Sequence, residues 1–301
     1  MNTDIVGRNG LSWERLRSFC AVAEAGSIVK AAGADPVRQS LMSRQIRELE
    51  QLFEVELVRR KGRGLVMTDA GRRLATIARH QIQTLQDFDD ECRGRPASFS
   101  IASSNTFLQS VFLPRFGAIR KALPMVEWEL RHLTARDTAR AVVEGEADFA
   151  LLRTTAMPAG VERAPLGRIA WVLAVPADQG KTGSASASSL LKALPLALPI
   201  GGEMREAVDA YATKAKLTLK VVLACDSYQQ ALSAARAGAC ATIIPDILLK
   251  GAALSLRTVQ LPACLQLRQP LALVWRKRVI DSRRHGAAVR DLLRKVLAIE
   301  D

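Results

Sequence analysis

Residues 35–50 read D-P-V-R-Q-S-L-M-S-R-Q-I-R-E-L-E, and this stretch decides how the rest of the chain is read. Val37, Leu41, Met42, Ile46 and Leu49 recur at steps of three and four, which predicts a helix carrying them on one side. The other side offers Gln39, Ser40, Ser43, Arg44 and Arg47. A merely solvated helix face mixes glutamate with lysine, whereas glutamine, serine and arginine hydrogen-bond to base edges and phosphates. A helix fits the major groove, where Gln39 can pair bidentately with adenine and Arg44 with guanine or a phosphate.

The flanking sequence supports that reading. Residues 13–25 predict a helix with Ser12 as N-cap, ended by Gly26. Ser27 caps a short helix, Ile28–Ala32, and Gly33-Ala34-Asp35-Pro36 is a tight turn into the opening stretch, which runs to about Phe53. Two strand-like pieces follow, Leu57–Arg60 and Leu65–Met67, joined by K-G-R-G into a hairpin. Its tip carries Arg59, Arg60, Lys61 and Arg63 with no acid among them. Two helices across a tight turn followed by a basic hairpin form a winged helix-turn-helix. Ser27, Arg38 and the four tip residues join the helix face as expected DNA contacts, the cations supplying salt-dependent affinity for phosphates. A polar surface helix with no partner remains the plain alternative for the helix alone; the preceding helix, the turn and the basic hairpin together weigh against it.

After Thr68 the pattern is helical to about Glu91, with Leu74, Ala78, Gln81, Leu85 and Phe88 in a three-four seam able to pair with a second copy. A helix packed on its own domain is the other reading of that seam. Arg93-Gly94-Arg95-Pro96 breaks the helix. From Ser98 strand-like and helical runs alternate, which predicts a doubly wound α/β arrangement, here two of them, with 181–189 as a small-residue surface loop.

Composition agrees with a soluble globular protein: of 301 residues, 49% are apolar and 24% charged. No apolar run reaches the roughly 18 residues of a membrane span, and the N-terminus has no hydrophobic signal-peptide core, so a cytoplasmic location and no membrane partner are expected. The net charge of +13 is uneven: the hairpin tip is basic, while Asp87, Asp89, Asp90 and Glu91 cluster as acids. Cys20, Cys92, Cys225, Cys240 and Cys264 are an odd, scattered set, best read as free thiols. A thiol switch through Cys225 and Cys240 would require exposure and a lowered pKa. His80, His132 and His285 lie far apart, and no HExxH, GxSxG or phosphate-loop spacing occurs; neither an enzyme, a metal site nor a cofactor is expected.

The sequence resembles the LysR-type transcriptional regulators. The resemblance rests on A-E-A-G-S-I-V-K-A-A (23–32), Q-S-L-M-S-R-Q-I-R-E-L-E (39–50) and T-D-A-G (68–71), and continues through F-L-P-R-F-G-A-I-R-K-A-L-P (112–124), E-G-E-A-D-F-A-L-L (144–152) and A-A-R-A-G-A-C-A-T-I-I-P (234–245). Three positions depart from the family pattern: Asp35 stands for leucine, Glu54 for glycine and Val58 for phenylalanine. Asp35, before Pro36, is placed to cap the recognition helix instead. A glutamate forced to positive φ at 54 would cost roughly 1 kcal/mol.

The resemblance implies a winged helix-turn-helix domain (1–68), a dimerising linker helix (69–95) and a two-lobed, periplasmic-binding-protein-like α/β effector domain (96–301). Lobe I would comprise about 97–172 and 270–301, lobe II about 173–269, with crossings near Val175-Pro176 and Pro270. A homodimer or homotetramer would bind a partly palindromic double-stranded operator, modulated by a small-molecule inducer. Ligands of such sheets lie beyond the carboxyl ends of strands. That rule selects Ser103, Ser104, Asn105 and Thr106, then Arg153 as a partner for an anion, Gly201 and Gly202 for close backbone approach, and Asp226 and Ser227, with Asp226 favouring a polar or cationic group. The alternative is a cytoplasmic small-molecule-binding protein of the same fold with a degenerate DNA-binding module.

Overall fold

The structure, a computed structural model, describes residues 11–62, 64–179, 186–249 and 255–299. Three helices open the described chain: α1 (Trp13–Ala25), α2 (Ile28–Ala32) and α3 (Pro36–Phe53). Each start is capped as the sequence predicts. Ser12 accepts the Arg15 N–H at 3.2 Å, Ser27 accepts that of Lys30, and the Asp35 carboxylate accepts the Val37 and Arg38 N–H groups at 2.9 and 3.3 Å. The aspartate in the leucine position thus turns outward and closes orphan donors of α3. Glu54 stops α3 in the left-handed conformation at φ 54°, where the sequence predicts strain.

The strands β1 (Val58–Lys61) and β2 (Gly64–Met67) form the antiparallel hairpin, β1 one residue later than expected and β2 starting one residue earlier. Its base is fixed by Glu50, whose carboxylate accepts the N–H groups of Leu57 and Val58. The hairpin is also tied back to the helices, the Leu65 N–H donating to the Gly26 carbonyl at 3.1 Å. Thr68 caps α4 (Asp69–Cys92), and at Gly71 a side chain would collide with the Leu57 carbonyl. The T-D-A-G stretch is therefore a cap plus a close backbone crossing. Phe19, Val22, Met42, Ile46, Leu49, Leu57 and Ala75 bury one small core between these elements.

The first α/β sheet contains β3 (Ala97–Ser103), β4 (Val126–His132), β5 (Phe149–Arg153), β6 (Glu162–Ile169) and a late strand, β12 (Gln269–Trp275), in the order β4-β3-β5-β12-β6. Strand β3 is parallel to β4 and β5, and β12 runs antiparallel to β5 and β6. Helix α5 (Asn105–Phe107) passes through a π turn (Leu108–Phe112) and a 3₁₀ turn (Leu113–Arg115) into α6 (Phe116–Ala122). The stretch 105–122 is not one continuous helix, because Pro114 removes a donor and its ring disrupts the ladder. Helix α7 (Ala135–Val143) precedes β5.

The second sheet contains β7 (Trp171–Pro176), β8 (Pro195–Pro199), β9 (Lys220–Cys225), β10 (Ala241–Pro245) and β11 (Leu256–Gln260), in the order β11-β7-β10-β8-β9. Its helices are α8 (Ala187–Ala193), α9 (Glu203–Lys214) and α10 (Tyr228–Arg236); α11 (Lys277–Ser282) and α12 (Gly286–Val296) return to the first lobe. Of the expected loop 181–189, Ser186 is instead the N-cap of α8, and 181–185 fall outside the described residues. The chain crosses between sheets at Ala170, ahead of Val175-Pro176, which lie inside β7. Asp246 holds the crossing from both sides: its N–H donates to the Ala170 carbonyl at 2.9 Å, and its carboxylate accepts the Ala170 N–H at 3.3 Å.

Helix α4 divides its apolar residues differently from the expected seam. Ala78 is buried and Leu74 packs on the N-terminal core, while Leu85 and Phe88 are exposed with Ile77. The other flank of α4 docks on the first lobe. Arg79 and Thr76 both donate to the Glu144 carbonyl, at 2.9 and 3.2 Å. Asp87, read from sequence as part of an acidic cluster, is buried against Arg283, which donates to it from Nε at 2.5 Å and Nη2 at 3.1 Å. The same guanidinium donates to Asp148 and to the Ser98 carbonyl and lies 4.6 Å over the Phe99 ring. A buried cation with this many acceptors is tolerated; with one removed, the remaining charges would be stranded.

Candidate DNA-binding face and ligand cleft

On α3 the buried side is Met42, Gln45, Ile46 and Leu49. Val37 and Leu41 do not share it: they are 77% and 45% exposed, beside Arg38, Ser40, Arg44 and Arg47. The inner side of α3 is instead set by the positions that meet α1 and the hairpin base, and Val37 and Leu41 fall outside it. Exposed aliphatic groups among polar ones can touch a thymine methyl as the polar groups touch base edges. Gln45 instead faces inward and donates to Glu14 on α1 at 3.2 Å, fixing the angle between the helices.

Gln39 and Ser43 are half-buried at the rim of that face. The Arg44 Nε donates to Glu48 at 2.8 Å, and Glu48 also pairs with Arg15 at 2.7 Å, so two arginines hold its carboxyl below the usual range. Arg47 donates to the Ser43 hydroxyl. These are exposed, weak attachments that a nucleic-acid partner can displace. Ser27 sits at the N-terminus of α2 with its hydroxyl used as a cap. Arg59 and Arg60 are exposed on β1, Arg59 paired with Glu56 at 2.6 Å, which raises its pKa. Lys61 ends β1, and Arg63 lies outside the described residues.

The second site is a cavity of about 250 Å³ between the lobes. Of the nine residues selected by the strand-end rule, Ser104, Asn105, Thr106, Arg153, Gly201, Gly202, Asp226 and Ser227 line it. Ser103 does not. It is fully buried, and its hydroxyl donates to the Leu151 carbonyl at 2.7 Å, cross-linking β3 to β5. Ser227 spends its hydroxyl capping α10. Arg153, expected to meet an anion, already donates to Glu203 at 2.9 Å and to Gln269 at 2.5 Å, so it bridges the two lobes.

Sequence reasoning missed His132, Thr138, Trp171, Glu203, Met204, Tyr228 and Gln269 in the lining. Glu203 and Tyr228 directly follow selected residues, and Gln269 precedes the expected crossing at Pro270, so a wider window at each strand end would have found them. The Trp171 and Tyr228 rings meet edge to face with centroids 4.9 Å apart. Burial pushes the Tyr228 hydroxyl up to about 12, keeping it a neutral donor at ordinary pH. Among the described residues, the Trp171 indole N–H and the Thr138 hydroxyl are buried without a hydrogen-bond partner, and both border the cavity. Orphan donors of this kind cost about 1–3 kcal/mol each until an acceptor reaches them. Cys225 and Cys240 lie buried together beside Ala197 and Ala231, and burial raises both thiols, the opposite of a reactive pair. No group of metal-ligating side chains, and no helix long and apolar enough to cross a membrane, occurs among the described residues.

Fold and sites together define a class: a winged helix-turn-helix unit joined through a long helix to a two-lobed α/β unit with an inter-lobe cavity. A family model described as the bacterial regulatory helix-turn-helix protein, lysR family, matches residues 13–72, and one described as the LysR substrate binding domain matches residues 93–298. The chain belongs to the LysR family of DNA-binding transcriptional regulators. It is 26% identical over 243 residues to the HTH-type transcriptional regulator TcbR of Pseudomonas sp. (strain P51), covering 78% of this chain and 83% of that one. It is 28% identical over 169 residues to the uncharacterised HTH-type transcriptional regulator YnfL of Escherichia coli (strain K12); that match takes in 54% of this chain and only 57% of the relative's length. In fold it is similar to ArgP from Mycobacterium tuberculosis, with a TM-score of 0.66 at 21% identity over 95% of this chain and 97% of that one.

Proposed function

We propose that this protein binds a partly palindromic operator as a dimer or a dimer of dimers and that a small molecule in the inter-lobe cavity shifts its DNA-bound state. The reading divides the chain into a DNA-binding unit to about residue 68, a linker helix over 69–95 and an effector unit from 96 with lobes near 97–172 plus 270–301 and 173–269. The observation that carries it is the face of α3: Arg38, Ser40, Arg44 and Arg47 stand exposed around Gln39 and Ser43, with Arg59 and Arg60 on the hairpin beside the same unit. The α3 face supplies base-edge and phosphate chemistry, and the hairpin supplies further phosphate neutralisation. Exposed Ile77, Leu85 and Phe88 on α4, with Trp13 bordering the same groove as Leu85, offer the apolar stripe that a second copy would cover.

The cleft suits a small amphipathic ligand. Glu203 and Asp226 favour a cationic or donor group, while Arg153, the Trp171 N–H and the Thr138 hydroxyl favour an acceptor, and the rings of Trp171 and Tyr228 favour an apolar body. The DNA reading is tested by gel-shift competition on the DNA upstream of its own gene. Gln39→Ala with Arg44→Ala is expected to remove about 1–3 kcal/mol of discrimination per lost base contact and to leave the melting temperature unchanged. A double variant that still prefers the operator over random DNA would overturn the assignment of these contacts. A wild-type chain that ignores the operator yet binds a metabolite would favour the solute-binding alternative.

A further inference from the structure

A second cavity, of about 360 Å³, lies where three parts of the chain meet: α1 of the DNA-binding unit, α4, and the first lobe. Five arginines line it against four carboxylates, Glu24, Glu129, Glu146 and Asp148, so its walls are positive by one before His80 is counted. Three of the arginines are committed. Arg283 is held by Asp87 and Asp148, Arg79 by Glu146 at 3.5 Å and the Glu144 carbonyl, and Arg131 by Glu129 at 2.9 Å. Among the described residues Arg17 and Arg276 have no carboxylate within ion-pair distance, and Arg17 is exposed to water.

Arg276 is different. Its Nη1 is fully buried and makes no hydrogen bond among the described residues. Burial lowers its pKa. Position 145 is a glycine whose added Cβ would lie 3.6 Å from that nitrogen, so the guanidinium edge abuts a bare stretch of backbone at the cavity wall. A desolvated donor on a permanent cation is among the most expensive groups to leave unmatched. The fork geometry of a guanidinium matches a planar or tetrahedral oxyanion.

We propose that this cavity is a second ligand site, separate from the inter-lobe cleft, that takes a small oxyanion, the phosphate or carboxylate group of a metabolite, on the Arg276 guanidinium. Because the walls come from α1, α4 and the first lobe, an anion held there bridges the DNA-binding unit and the effector unit without passing through the cleft. Its occupancy is therefore a separate input to the same protein, and this assignment stands whether or not the cleft binds an inducer.

The experiment is thermal unfolding of the full chain titrated with inorganic phosphate, and separately with acetate, each against chloride at matched ionic strength. The wild type is expected to show a saturable rise in melting temperature with one or both anions; the anion that saturates at the lower concentration identifies the source as phosphate-bearing or carboxylate-bearing. Arg276→Gln lies away from the α3 face, so it should lose the response while anion binding at the DNA-binding face is left intact, and its melting temperature without anion should equal or exceed that of the wild type. Arg276→Lys, which keeps the charge and loses the fork, should raise the half-saturating concentration by about tenfold, roughly the worth of one charge-assisted hydrogen bond. No saturable rise in the wild type with either anion overturns the proposal. So does an unaltered response in Arg276→Gln or, should that variant not fold, in Arg276→Lys.

Discussion

The DNA-binding unit and the effector unit handle polar side chains in opposite ways. Among the described residues that are buried and polar or charged, only Gln45 belongs to the first; Ser100, Ser103, Thr106, Thr138, Thr242, Gln269 and Arg283 belong to the second, and Asp87 to the helix docked on it. The first keeps its polarity on the surface, in ion pairs such as Arg44–Glu48 that solvent already weakens. The second keeps polarity inside, where each group is either fully matched, like Arg283, or conspicuously unmatched, like Trp171 and Arg276. A surface strip can be remade for a new target at little structural cost. A buried network cannot, because each loss strands a partner.

The sharpest way to break that contrast is Arg283→Met. If the joint between α4 and the first lobe depends on the buried guanidinium, leaving Asp87 and Asp148 unpaired costs about 3–5 kcal/mol in denaturant unfolding. A loss below about 1 kcal/mol would mean the joint is as loosely held as the surface pairs. Next in size is Glu54→Gly. This side chain sits at φ 54°, so relief of its backbone strain should stabilise the DNA-binding unit by roughly 1 kcal/mol in the same measurement. A loss instead would place an unrecognised interaction on that glutamate.

Smaller still is Glu203→Gln. The Arg153–Glu203 pair crosses the lobes but is partly solvated, so its removal should change stability by no more than about 1 kcal/mol while altering how the cleft answers ligands. Equal ligand-induced melting shifts in the two proteins would remove Glu203 from the cleft chemistry. The smallest effect is one of pH. His80 is held below the ordinary histidine range, first by burial and then by Arg276 and Arg283. The folded chain prefers the neutral ring, so this share of stability is complete above the unfolded histidine value of about 6.5 and is lost as pH falls through the depressed folded value. His80→Gln should flatten the fall of melting temperature with acidification over that window; an unchanged slope would take His80 out of the pH response.

The same contrast explains what the sequence disclosed. The caps at Ser12, Ser27 and Asp35 and the exposed polar side of α3 were legible because each is fixed by residues a few positions apart, while the left-handed Glu54 was legible only through the family resemblance. Even there, periodicity misplaced Val37 and Leu41, since a helical pattern cannot say where the neighbouring helices end. Strand β6 is not legible in sequence because Pro165 and Gly167 mask its alternation, and Gly167, at φ 121°, packs where a side chain would strike the Ile299 carbonyl. The cleft was half legible: strand ends can be located, but Trp171, Thr138 and His132 reach it from separate elements. Nothing local in D-F-D-D-E announced that Asp87 would be interior, because its partner Arg283 lies 196 residues away.

The bond from the Leu65 N–H to the Gly26 carbonyl has one more consequence. It fastens the hairpin to the corner from which α2 departs, so a duplex bound as proposed would meet hairpin and α3 as one caliper. A caliper measures a fixed span. On the proposed contacts, base pairs inserted within one half-site, between the stretches α3 and the hairpin would hold, should weaken both grips together, whereas extra spacing between half-sites should leave each caliper seated.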